Sequence, residues 1–79
     1  MVTDKAWQDR IKRLLKAELK RAGVSYRDLA DRLSRMGIDE SEANIANKIS
    51  RGGFSAAFFF ECMAAIGCKI VSVPHEDSS

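Results

Sequence analysis

Glycine marks off four helix-length pieces in the first 67 residues of this chain. The five glycines stand at Gly23, Gly37, Gly52-Gly53 and Gly67, and the single proline is Pro74. No proline interrupts the first 73 residues, so each piece between the glycines is free to be helical. Glycine just past a run of helical periodicity is the usual closing residue of a helix. A chain punctuated in this way reads as four helices joined by short turns.

Each piece has its own face. In residues 4–22, Trp7, Ile11, Leu14, Leu15, Leu19 and Ala22 recur at helical spacing and are expected to meet a core. The other faces carry Lys5, Arg10, Lys12, Arg13, Lys16, Lys20 and Arg21. The second piece opens with Ser25-Tyr26-Arg27-Asp28, the form of a capping box, and continues with the stripe Leu29, Ala30, Leu33 and Met36. Ile38 to Glu40 form a turn, and Asp39 or Ser41 caps a third helix that runs to about Arg51. Ser55 caps a fourth helix over 56–66, apolar almost all round.

Residues 68–73, Cys-Lys-Ile-Val-Ser-Val, are rich in β-branched side chains and read as a strand. A lone strand leaves its backbone groups unpaired, and no second strand is evident. The expectation is pairing with the same strand of another copy. A homodimer would then be joined through Phe58 and Phe60 of the fourth helix and Ile70, Val71 and Val73 of the strand. The fold expected is therefore all-α: a single domain over 1–79, with a helical core at 4–67, a strand at 68–73 and a disordered tail at 74–79.

Charge is unevenly spread. Residues 1–37 hold ten Lys/Arg against five Asp/Glu, while the whole chain carries only +2. A basic first half can steer a polyanion, although solvated helix faces also look like this. An apolar fraction of 46% with 30% charged residues is that of a globular protein, not a disordered one. No apolar run is long enough to span a membrane and no leader precedes the first helix, so the expected location is cytoplasmic. Cys62 and Cys68 read as free thiols. The only histidine, His75, stands away from any paired ligand spacing, so no metal and no cofactor are expected. No nucleophile has a base beside it and no glycine-rich phosphate loop follows a strand, which argues against an enzyme. No small-molecule site is evident.

The third helix carries the most suggestive pattern. Ile45 and Ile49 point inward, whereas Asn44, Asn47, Lys48 and Arg51 share one outer face. Asparagine can pair with adenine, and lysine or arginine with guanine or phosphate. Ser25, Tyr26 and Arg27, in the first turn of the second helix, offer amides, hydroxyls and a cation to phosphates. Two helices joined by a turn, the second presented outward, make a helix-turn-helix.

The stretch LKRAGVSYRDLADRLSRMGI, then NIANKISRG, then an apolar helix ending AAIG resembles the phage-repressor and Cro-like helix-turn-helix family. The resemblance covers about residues 11–67 and rests on Leu29-Ala30, Arg51-Gly52 and Ala65-Ile66-Gly67. It implies double-stranded DNA as partner, association with the nucleoid and a role in transcription regulation. The chain departs from that family in three ways. Tyr26 stands where Gln is usual, the path from Leu29 to Arg51 is longer, and Asp39, Glu40 and Glu42 crowd the start of the third helix. The chain also looks similar to small bacterial proteins of an uncharacterised domain family. Sequence-specific DNA binding by a dimeric regulator is thus the leading expectation. The alternative is a protein-interaction module on the same scaffold, which the acidic turn favours.

Overall fold

A computed structural model describes residues 4–68, which form four α-helices, their connecting turns and the closing turn after the last helix. These are α1 (Asp4–Ala22), α2 (Tyr26–Arg35), α3 (Glu42–Arg51) and α4 (Ala56–Ala65). Among the described residues there is no strand.

Three helices begin in the same way. Ser25, Ser41 and Ser55 are extended, and each hydroxyl accepts from the amide three residues on, at 3.0–3.1 Å. That satisfies one of the amides a helix start leaves unpaired. At α2 the box is complete, since the Ser25 amide donates to Asp28 Oδ2 at 3.5 Å. The cap of α3 is Ser41, so Asp39 remains outside the helix.

Three helices also end alike. Val24, Ile38 and Cys68 donate their amides back across the last turn to Leu19, Leu33 and Met63, at 2.9–3.0 Å. Each follows a glycine of positive φ, the last being Gly67 at 75°. Two orphan carbonyls are thereby paired, and an apolar residue is folded back under the helix end. This arrangement corrects the expected strand at its first residue: Cys68 closes α4 instead of starting a ladder. The remaining strand residues, 69–73, lie outside the described residues, as does the expected tail. Neither the strand nor pairing of a second copy through it gains support.

The core is drawn from all four helices. Leu15 and Leu19 of α1, Leu29 and Leu33 of α2, and Ile45 and Ile49 of α3 meet Phe58, Phe59, Cys62 and Met63 of α4. α3 and α4 each pack against both α1 and α2. No polar side chain is buried among the described residues.

Three residues expected inside are outside. Trp7, in the second turn of α1, is 42% exposed, with Arg10 4.6 Å from its ring centroid. Met36, the residue just past the end of α2, is 45% exposed. Ala22, in the last turn of α1, is exposed too. The expected dimer face divides as well: Phe58 is buried within the chain's own core and is no surface residue, while Phe60 is 61% exposed.

Candidate nucleic-acid interface

α3 is ten residues long, too short to be stable alone in water. Two fully buried isoleucines, Ile45 and Ile49, fix it on the domain. At its far end Gly52 turns the chain at φ 75°, where the backbone passes against α1. A Cβ at Gly52 would stand 3.4 Å from the Gln8 carbonyl oxygen and from the Lys12 side chain. The Lys12 ammonium donates to the Ser50 carbonyl at 2.9 Å, which places a cation at the negative end of α3. α3 is therefore held at both ends and along one face.

The opposite face carries the side chains that spacing had grouped together. Asn44, Asn47 and Arg51 are exposed, and Lys48 is half-buried. All four line one open groove of about 580 Å³, closed on its other side by Gly53, Phe54, Ser55 and Phe58 at the start of α4. Among the described residues, the side chains of Asn44, Asn47 and Arg51 make no hydrogen bond or ion pair.

Lys48 differs from its neighbours. Its ammonium is paired with the carboxylate of Glu40, which is 11% exposed, and lies 4.8 Å from the centroid of the Phe58 ring. The turn before α3 thus folds an acid back onto this face of α3 and neutralises one of its two cations. Asp39 and Glu42 remain exposed at the start of α3.

Ser25, Tyr26 and Arg27 lie elsewhere. Ser25 and Tyr26 line a shallower groove with Lys16, Leu19, Lys20 and Val24, and this groove shares no residue with that of α3. The Ser25 oxygen is occupied as a cap, and the Tyr26 ring packs against the core. Arg27 is exposed, with no ion pair among the described residues. Lys16 and Lys20, one helical turn apart on α1, come beside Tyr26 and add two exposed cations that sequence reasoning had left as an undifferentiated basic face. Their spacing of four residues, ending just before Gly23, was the available signal. Two other arginines are committed: Arg21 pairs with Glu18, which raises its pKa, and Arg32 donates to the Ala65 carbonyl at 3.3 Å.

Cys62 is packed away from solvent. Cys62 is fully buried, and desolvation, with lesser contributions from Glu61 and Glu40, pushes its thiol up to about 12. The thiolate is the nucleophile, so Cys62 should be inert in the folded chain. At pH 8 a thiol reagent is expected to label Cys62 only after denaturant is added. Labelling under native conditions, located by peptide mass spectrometry, would contradict the packing. Among the described residues there is no group of three or more His, Cys, Asp or Glu side chains placed to hold a metal. No described helix is long and apolar enough to cross a membrane.

Residues 7–71 match the model of a domain of unknown function, DUF6471, and the chain belongs to that family. The match agrees with the resemblance to an uncharacterised domain family and lends none to the Cro-like repressors. No curated protein and no solved structure matches the chain.

Proposed function

We propose that this member of a family without an assigned activity binds double-stranded DNA in a sequence-dependent way through α3, and that its output is regulation of transcription. One observation carries the reading. Asn44, Asn47 and Arg51 stand exposed and unpaired on one face of a helix whose other face is pinned by Ile45 and Ile49. A rigid helix presenting amides and a guanidinium has the size and chemistry to read base edges in a major groove. Lys16, Lys20 and Arg27 are exposed cations available for phosphates, which fix position without reading sequence.

A second reading, a protein-interaction module, is favoured by the acids of the α3 turn. Asp39 and Glu42 repel phosphate, and Glu40 removes the charge of Lys48.

Glu40→Gln separates the two. On the DNA reading the variant frees Lys48 for a phosphate, so affinity for duplex DNA rises and the plot of log K against log[salt] steepens by about 0.9, the value for one added contact. Fluorescence anisotropy with a labelled duplex measures both. Unchanged or weaker binding by a variant that keeps its helical circular dichroism favours the interaction module instead.

A further inference from the structure

A second groove, of about 400 Å³, lies between the N-terminal half of α1 and the start of α4. Trp7, Ile11 and Leu14 form one wall, and Ala56, Phe59 and Phe60 the other. Its rim carries two of the three large apolar side chains exposed among the described residues, Trp7 and Phe60. Both rings are held in place. The Arg10 guanidinium lies 4.6 Å from the centre of the Trp7 ring, and the Phe60 ring meets that of Phe59 edge-on at 5.4 Å.

The apolar surface continues past the groove. The exposed residues of α4 are Ala56, Ala57, Phe60 and Ala64, with no polar side chain among them. A face of this kind is unfavourable in water and marks a contact surface. Three alanines around one phenylalanine set small beside large, and that relief lets a like face interlock with it.

Charge points to a second copy as the occupant. Residues 4–11 of α1, which flank the groove, hold Asp4 and Asp9 against Lys5 and Arg10 and so balance. The basic surplus of α1 lies beyond them, where Lys12, Arg13, Lys16, Lys20 and Arg21 are opposed by Glu18 alone. A polyanion or an acidic partner is drawn to that far half, whereas a copy of this chain meets no excess of like charge at the groove. The two edges of the patch also differ in sign. Arg10 lines its α1 edge. A helix advances about 100° per residue, so Glu61 stands about 200° round α4 from Phe59, on the side turned away from α1. A two-fold contact uses the same patch in both copies and lays the α1 edge of one over the α4 edge of the other. Arg10 of each copy then comes over the partner's Glu61.

We propose that two copies of this chain associate about a two-fold axis through the α1–α4 groove, with Phe60 of each seated against the groove of the other. The patch extends about 15 Å along α4 and about 10 Å across to α1. That is small beside the roughly 800 Å² each partner gives to a stable complex, so the dimer is a reversible one. Asn44, Asn47 and Arg51 line no part of this groove, and association here leaves their face of α3 open. This inference does not depend on the DNA reading.

The test uses the full chain in solution. Sedimentation equilibrium from about 10 µM to about 1 mM should give a mass that rises from that of one chain towards twice it. A mass that stays at one chain throughout overturns the proposal and means that another occupant covers the groove. Phe60→Asp should weaken association by about tenfold or more while the helical circular dichroism is kept. Unchanged association of that variant means that a different surface joins the copies, and overturns the proposal as well. A charge exchange decides if Phe60→Asp loses its helices. Arg10→Glu and Glu61→Arg should each weaken self-association, because each sets like charges opposite one another. An equimolar mixture of the two variants should recover a mixed dimer, in which both pairs are again of opposite sign. A mixture that associates no better than either variant alone overturns the two-fold arrangement.

Discussion

Ile49→Ala should destabilise the domain by about 2–5 kcal/mol, the range for removing a fully buried isoleucine side chain down to its Cβ. Ile49 is 0% exposed and is one of only two fully buried residues of α3. The lost methyl and methylene groups forfeit their transfer free energy, and the neighbours close the gap only in part. A chain of 79 residues has little to spare, because small domains bury a smaller share of their surface. The thermal midpoint should fall by roughly 10 °C or more, at about 4–8 °C per kcal/mol for a domain of this size. On the proposed reading the effect reaches DNA binding through α3, which cannot persist as a helix without its packing. Ile49→Val, which removes one methyl group, should cost only about 0.5–1.5 kcal/mol and serves as the graded control. A fall of less than about 1 kcal/mol for the alanine variant, read from chemical denaturation, means that Ile49 does not anchor the helix.

Asn47→Ala and Arg27→Ala should damage DNA binding in different ways. Asn47 is exposed and unpaired, so its loss should leave folding unchanged. A side chain that pairs with a base edge contributes about 1–3 kcal/mol of discrimination, roughly a tenfold preference or more. Asn47→Ala should therefore narrow the gap between a duplex selected from a random pool and its point variants. Arg27 sits in the first turn of α2, away from the α3 groove. Its removal should weaken every duplex alike and lower the magnitude of the salt slope by about 0.9. Competition titrations with selected and scrambled duplexes read both effects. If Arg27→Ala changes the preference and Asn47→Ala the general affinity, the two roles must be exchanged.

The helices were legible because their ends are chemically marked. Ser25, Ser41 and Ser55 stand where free amides need acceptors, and the glycines stand where positive φ is needed. The same grammar held the answer at Cys68. Gly67-Cys68 repeats Gly23-Val24 and Gly37-Ile38, a glycine followed by a residue folded under the helix. β-Branched composition further along obscured that parallel. Composition describes what a segment favours, whereas the closing bonds of α4 decide where Cys68 goes.

Other misses have their own causes. Helical spacing names a face but not how far a partner extends along it, so Trp7 and Met36 match the stripes yet are exposed. An all-apolar helix gives no sign of which side turns inward, so Phe58 and Phe60 could not be separated from sequence. At the candidate interface, the shared face of Asn44, Asn47 and Arg51 follows from spacing alone. The engagement of Lys48 does not, since Glu40 reaches it from eight residues away through a turn whose path periodicity cannot describe.

The most direct test of DNA recognition by α3 is a salt titration of the full chain on labelled duplex DNA. Lys16, Lys20 and Arg27 are the exposed cations assigned to phosphates. If each meets one phosphate, log K should fall linearly with log[salt] at a slope of about −2.7 per bound chain. Affinity should then drop about fortyfold between 50 and 200 mM salt. No binding to any duplex at low salt, or binding indifferent to salt, would contradict the account.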